Sequence, residues 1–348
     1  MKNYNLTDFL NNKMMIDAIN FANEIIKNNK KLFSEVGILS ELLHAESPEF
    51  DVRFKKTYEY SKKILDRLDD CLILCVFDRG FYNTIETYKK RNIPLKILRD
   101  SLKDLELRCE FHYKMFGKVG TDAPNWTKLF IQGKIFRLGR LQYMPQKCHY
   151  DTLIYKNKNT EKLLLLSEPN IKVDGKGYKV NENESFITGE YNKINCNGRI
   201  SPACERLDLK QYQLVFKNGD DVLDMHIPAN GHMTPDMVKE SMEMALEFCK
   251  KHFSELSFKA FSCYSWLLGE EMEELLSPNS NIIQFKNLFD LTSSYNDTHP
   301  LIYKWIFGFE KNQTDYKNHI AENSLQRGAH KLLDEGRWFT SRAGIILI

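Results

Sequence analysis

Apolar residues recur at spacings of three and four through Met14, Met15, Ala18, Ile19, Ala22, Ile25 and Ile26. This is the period of a helix with one buried face. Asp51 to Leu68 repeats the pattern, and Asp70 to Lys90 opens on the apolar run Cys71 to Phe77 before turning charged. Pro94 interrupts, and Leu95 to Phe116 resumes through Ile97, Leu98, Leu102, Leu105 and Cys109. Nothing in this stretch alternates with the period of two that a half-buried strand shows. Residues 1–118 therefore predict helices, and a helical domain is expected over 1–120.

The pattern changes after Lys118-Val119-Gly120-Thr121-Asp122-Ala123-Pro124, where Gly and Pro punctuate the chain. Short β-like runs follow at Lys134 to Leu138, Leu141 to Met144 and Thr152 to Tyr155. Residues 172–209 are rich in Asn, Gly and Glu and read as irregular loops or an edge hairpin, an insertion placed at about 156–209. Gln211 to Phe216 and Val222 to Ile227 flank Asn218-Gly219, a strong short-range signal for a hairpin. Thr234-Pro235 supplies a helix cap with proline in the first turn, and Met237 to His252 carries a helical face. Phe258 to Leu267 reads as a strand, Glu270 to Leu276 as a short helix, Ile282 to Phe285 and Ile302 to Phe309 as strands, and Asn323 to Leu333 as a helix. The fold class is α+β, with a second domain over 121–348.

Composition narrows the function classes. Hydrophobic residues make up 42% and charged residues 28% of the 348, which argues against extensive disorder. Lys and Arg (49) nearly balance Asp and Glu (47), so no overall field points to nucleic acid or a membrane surface. The balance is uneven along the chain: residues 223–348 hold 12 basic and 17 acidic side chains. No apolar run approaches the ~20 residues that cross a bilayer, and no basic-then-apolar leader opens the chain, so a cytoplasmic location is expected. The eight cysteines form no CxxC, which predicts buried reduced thiols. The nine histidines make no HExxH spacing, so no metal site is expected.

Five strings carry a resemblance. They are Leu138-Gly139-Arg140-Leu141-Gln142-Tyr143; Val222-Leu223-Asp224-Met225-His226-Ile227-Pro228 with Gly231 and Thr234-Pro235; Cys263-Tyr264-Ser265-Trp266-Leu267-Leu268; Ser280-Asn281-Ile282-Ile283-Gln284-Phe285; and Ser324-Leu325-Gln326-Arg327 with Gly336. In this order they resemble bacterial acyltransferase domain-containing proteins, in which a helical N-acyltransferase N-terminal domain precedes a GNAT-like C-terminal domain. The resemblance covers about 134–345. It implies transfer of an acyl group from a thioester, acyl-CoA or an acyl carrier protein, to an amine of a small molecule or peptide. A non-catalytic ligand-binding or sensor module on the same scaffold is the alternative.

Acyl transfer needs a base for the amine, donors for the oxyanion and an acid for the departing thiolate. Period two puts Asp224 and His226 on one face of their strand, so His226 is the candidate base and Asp224 its orienter or itself the base. If this strand is the one that splays from its neighbour in a GNAT fold, the amides near Met225, His226 and Ile227 are the oxyanion donors. Tyr264 or Ser265 could protonate the thiolate, and Cys263 could instead be an acylated nucleophile. Ile227, Ala229, Asn230, Gly231, His232 and Thr234, at the start of the following helix, are placed against the donor, together with Arg327. Arg140, Gln142 and Trp266 are assigned to the acceptor or the acyl chain. The loop Pro228 to Thr234 has one glycine and no Lys or Arg, so it lacks the usual Arg/Gln-x-x-Gly-x-Gly/Ala turn. A carrier-protein thioester stays open beside acyl-CoA for that reason.

Overall fold

The computed structural model describes residues 4–167, 180–182, 186–189, 206–208, 210–292, 302–308 and 319–348. The chain divides into two compact units. The first comprises Met1–Gln142, Met244–Phe253 and Gly308–Thr314; the second comprises Tyr143–Glu243, Ser254–Phe307 and Asp315–Ile348.

The first unit is built from α1 (Lys13–Lys27), α2 (Lys30–His44), α3 (Glu49–Leu65), α4 (Leu72–Lys90), α5 (Leu95–Phe116) and α6 (Pro124–Ile131), followed by the short strand β1 (Phe136–Leu138). Helix α1 buries Met15, Ala18, Ile19, Ala22 and Ile26, the stripe that the three-four spacing predicts. Asn12 and Asn29 cap α1 and α2, their side-chain oxygens accepting from Met15 and Leu32 N–H. Helix α4 buries every residue from Leu72 to Phe77, as a helix surrounded by others must. Helix α6 was not expected. Its proline occupies the first turn, so a residue read as a breaker here starts a helix. The buried ring of Phe136 packs on Phe248 at 4.9 Å and on Phe253 at 5.5 Å.

In the second unit the main sheet carries β2 (Leu141–Lys147), β9 (Asp221–His226), β10 (Phe258–Ser265), β12 (Arg342–Leu347) and β11 (Asp290–Leu291), adjacent in that order. A smaller sheet has β3 (Thr152–Asn157) between β4 (Leu163–Ser167) and β8 (Tyr212–Phe216). Strands β5 (Val180–Glu182), β6 (Phe186–Gly189) and β7 (Arg206–Asp208) pair antiparallel among themselves; the rest of the expected irregular insertion lies outside the described residues. Helix α7 (Pro235–His252) starts at the Thr234 cap, whose carbonyl accepts from Val238 N–H at 3.0 Å. Helices α8 (Glu271–Leu275), α9 (Asn281–Lys286), α10 (Ile302–Phe307) and α11 (Ser324–Asp334) complete the unit. The inner faces of the two sheets meet through Ile154, Phe216, Val222, Ala260 and Ile345. Among the described residues no helix is long and apolar enough to cross a membrane.

Three expectations are corrected. Asn218-Gly219 does form a turn, with Gly219 at φ +84°, but β8 and β9 enter different sheets instead of pairing. The turn is held by Cys148, whose carbonyl accepts from Gly219 N–H at 3.0 Å and whose N–H donates to Asp220 at 2.8 Å. Ile282–Phe285 is helical within α9, where the Ser280 side chain accepts from Ile283 N–H. Residues 302–307 are helical too, burying Ile302, Tyr303, Ile306 and Phe307 at helical spacing. Finally, β12 was not foreseen, although it sits between β10 and β11. Its Gly344 is required because a Cβ there would lie 2.7 Å from the Phe289 Cβ.

Candidate active site

Strands β9 and β10 run parallel, with Val222 opposite Ala260, Leu223 opposite Phe261 and Asp224 opposite Ser262. The ladder ends there, although β9 continues to His226 and β10 to Ser265. On its other edge β10 stays paired with β12 as far as Ser265 opposite Arg342. From Ala260 to Ser265, strand β10 is thus held on one edge, while on the other it parts from β9 after Ser262.

The candidate dyad stands where the pairing stops. Asp224 is buried and His226 partly exposed, and His226 Nε2 lies 3.0 Å from Asp224 Oδ2. The shared face expected from period two is therefore an actual contact. Ser262 Oγ donates to Asp224 Oδ1 at 2.7 Å. Tyr150 lies beside this group, and its pKa is pushed well up, first by burial and next by the Asp224 charge. A carboxylate buried this deeply is costly unless hydrogen-bonded, and both of its oxygens have a polar neighbour. Neither Ser262 nor Tyr150 was picked out from the sequence. Ser262 could have been found from strand pairing, since it has the parity of Asp224; Tyr150 lies between strands and carries no periodic signal.

The other candidates are dispersed. Cys263 is fully enclosed in β10, and burial, then Asp224, raises its thiol pKa well above the usual range. That environment disfavours the thiolate a nucleophile requires. Tyr264 is the more exposed of the two acid candidates, 37% accessible and beyond the last β9–β10 rung. Ser265 accepts from Leu267 N–H at 3.1 Å and caps a single 3₁₀ turn, Trp266–Leu268. Trp266 belongs to that turn and packs edge-on against Phe339 at 5.5 Å, beside the apolar cluster of Met272, Ile283 and Tyr303. It is half-buried there. Arg327 is exposed on α11.

Past β9 the chain passes through Ile227, half-buried, to Ala229, Asn230, Gly231 and His232, all exposed. Gly231 adopts φ +89°, a conformation that a side chain would strain. Thr234 then caps α7, its hydroxyl oxygen accepting from Met237 N–H at 3.4 Å. The amide-rich start of this 18-residue helix is suited to an anion, and the loop itself supplies no Lys or Arg.

Arg140 and Gln142 belong to the first unit. They do not alternate on a strand as expected: Arg140 occupies the turn between β1 and β2, and only Gln142 is extended. Both are buried, and desolvation, followed by the nearby Arg137 charge, lowers the Arg140 pKa to about 10. Among the described residues no group of three or more His, Cys, Asp or Glu is placed to hold a metal ion.

Comparison with known proteins agrees with this architecture. The profile of the family described as "N-acyltransferase N-terminal domain" matches residues 20–133, and that of the "GNAT-like C-terminal domain" matches 135–346. Among solved structures, an acyltransferase in complex with decanoyl-CoA and teicoplanin aligns with a TM-score of 0.54 at 20% identity, over 79% of this chain and 66% of that one. An acyltransferase with CoA and 10C-teicoplanin gives the same values, and one with decanoyl-CoA alone reaches 22% identity over 79% of this chain and 65% of that one. This chain thus spans slightly less than two thirds of those proteins, and the likeness establishes the fold. No curated protein matches the sequence. With more than half of its length covered by one profile and most of the remainder by the other, the chain belongs to the family that joins an N-acyltransferase N-terminal domain to a GNAT-like C-terminal domain.

Proposed function

We propose that the protein is an N-acyltransferase that moves an acyl group from an acyl-CoA thioester to an amine by direct attack. The observation that carries this reading is the His226–Asp224 contact of 3.0 Å at the rung where β9 and β10 cease to pair. His226 takes a proton from the acceptor amine, and Asp224 orients the ring and offsets the charge it gains. The amine nitrogen attacks the thioester carbonyl carbon. The carbonyl oxygen, becoming an oxyanion, is met by backbone amides of residues 225–227, next to the end of the ladder. The intermediate collapses with cleavage of the carbon–sulfur bond, and Tyr264 protonates the departing thiolate. The phosphates of the donor rest on the loop Ala229 to Thr234 and the start of α7.

Direct attack is favoured over a covalent route because the Cys263 thiol is enclosed and its pKa raised. The related structures contain decanoyl-CoA and teicoplanin; by analogy we assign a fatty acyl-CoA as donor and an amine on a small molecule or peptide-like scaffold as acceptor. A carrier-protein thioester is the competing donor. The cation-poor loop favours one second reading, a binding module without turnover. Both are tested by presenting acyl-CoAs of two to sixteen carbons with an amine library and following free thiol. Thiol release that depends on the acceptor and is lost in His226→Ala supports the enzyme. Thermal stabilisation by acyl-CoA with no thiol release from any pair would instead select the binding module.

A further inference from the structure

A cleft runs between α2 and α3 in the first unit. It holds about 590 Å³ and is lined mainly by one stripe of α3, where Glu49, Val52, Arg53, Lys56 and Tyr60 recur at helical spacing. Helix α2 adds Lys31 and Glu35, one turn apart. Arg53 takes up the Glu35 charge, its Nε and Nη2 donating to the two carboxylate oxygens at 2.9 and 3.0 Å. Lys31 lies over the Tyr60 ring, with Nζ 4.4 Å from the centroid. Among the described residues neither Lys31 nor Lys56 meets a carboxylate, and both are exposed. Val52 is 62% exposed, so the cleft sets two free cations beside an uncovered apolar side chain.

Helix α7 carries the complementary pattern on its exposed face. Asp236, Glu240, Glu243 and Glu247 follow at spacings of four, three and four, flanked by the exposed Met237 and Met244. Lys239 is the one basic residue between Pro235 and Cys249, and none of the four acids is ion-paired among the described residues. The acidic stripe and the α3 stripe from Glu49 to Tyr60 each advance eleven residues, about 17 Å of helix.

We propose that the α2–α3 cleft of one copy receives the acidic face of α7 from a second copy of this chain. Laid antiparallel to α3, α7 brings Glu243 to Lys56 and Glu240 to Lys31, and turns Lys250 towards Glu49 at the other end of the cleft. Met244 and Val52 then cover one another, which removes exposed apolar surface on both sides. The cleft and α7 are different patches, so the contact is heterologous and joins copies head to tail into rings or open chains. Opposite charges steer it, and salt weakens it. The inference is independent of the acyltransferase reading, since neither His226 nor Asp224 takes part.

The test uses the full chain, with sedimentation velocity as the measure of association and thermal melting as the check on folding. At low salt the average mass should climb above that of one chain as the concentration rises through the micromolar range. It should fall back at ~1 M salt, where the Debye length is about 3 Å. Lys31→Glu with Lys56→Glu should abolish the association, and so should Glu240→Lys with Glu243→Lys. An equimolar mixture of these two double variants should associate again, because each then supplies the cleft that fits the other's α7. Lys13→Glu with Lys96→Glu changes the net charge equally on α1 and α5 and should leave association intact. Where a charge reversal lowers the melting temperature, Lys31→Gln with Lys56→Gln should still weaken association about fivefold. A single-chain mass at every concentration, or association that survives both double variants, overturns the proposal. A mixture that stays dissociated, or an equal loss from the Lys13 and Lys96 substitutions, overturns it too.

Discussion

Ser262 hydrogen-bonds Asp224 across the final rung of the β9–β10 ladder, at 2.7 Å, and one turn of the alternation further on β9 has left the ladder. Past this pair β10 keeps its partner β12 and parts from β9. A carboxylate at the last shared rung and an imidazole just beyond it suit a site that must hold one group still and leave room for a substrate beside the other.

The Asp224 carboxylate is expected to matter through its charge as well as its position. Asp224→Asn keeps an oxygen for the Ser262 proton but removes the negative partner of a protonated His226. Turnover should fall by about 10²–10⁴-fold, the range associated with general acid–base groups, while the melting temperature stays within a few degrees. Thiol release and a melting curve on one preparation check both halves. Unchanged turnover in a folded variant would count against the dyad.

Cys263 is expected to be dispensable. Its raised thiol pKa keeps it neutral at physiological pH, and its buried position makes it a small apolar filler. Cys263→Ala should retain turnover within about threefold and lose about 1–2 kcal/mol of stability through the small cavity it opens. Intact mass after exposure to acyl-CoA without an acceptor should show no added acyl group. An adduct present in the parent and absent from Cys263→Ala would establish the covalent route instead.

In the first unit, acid should act through Asp70. His112 Nε2 lies 3.0 Å from Asp70 Oδ2, and this hydrogen bond, more than that from Tyr58, holds the Asp70 carboxyl below the usual range. A carboxyl whose pKa is lowered by folding adds stability above its unfolded value of ~3.9, and that stability is lost as pH falls through the lower folded value. Asp122 works in the opposite sense. Burial raises its pKa, so its contribution is present at low pH and is lost as pH rises through the folded value. Melting temperatures between pH 7 and pH 3 should fall less steeply in Asp70→Asn than in the parent, and more steeply in Asp122→Asn.

The aromatic centre of the first unit gives a direct stability prediction. Phe136 is buried against Phe248 and Phe253 as well as Tyr88. Phe136→Ala should cost about 3–5 kcal/mol, read as a lower urea midpoint at unchanged slope. A midpoint unchanged from the parent would mean that this cluster does not govern the unit's unfolding.

Where the sequence was legible, one period dominated for many residues. Helices α1, α4 and α5 each run for 15 or more residues, long enough for a buried stripe to declare itself. Asp224 and His226 were paired by parity alone, since strand alternation permits only two faces. The misreadings share a cause. Ile282–Phe285 and Ile302–Phe307 are apolar stretches of a few residues that fit either period, and tertiary packing makes both helical. Asn218-Gly219 determines a turn but not the partners of the strands it joins, and here Cys148 takes its hydrogen bonds. Tyr150, between β2 and β3, packs against the cluster of Ile154, Val222 and Ile345, a placement that depends on how two sheets stack.

That stacking leaves the donor loop as the most weakly specified part of the proposed reaction, and its charge can be changed without touching the dyad. From Pro228 to Thr234 there is no Lys or Arg, so donor phosphates would be held by amide dipoles at the start of α7. Ala229 is exposed in this loop. Ala229→Arg should therefore place a cation near the phosphates, worth about 0.3–1 kcal/mol at an exposed position. KM for acyl-CoA should fall by about two- to fivefold with kcat little changed, because the added charge is as close to the phosphates in the ground state as in the transition state. Raising the salt to ~1 M, where the Debye length shrinks to about 3 Å, should erase most of the gain. A dephospho or pantetheine-only thioester should show no gain at all, since it lacks phosphates for the new guanidinium to meet. A KM that is indifferent to Ala229→Arg at low salt would move the donor phosphates away from this loop and leave the dyad assignment to be judged on its own variants.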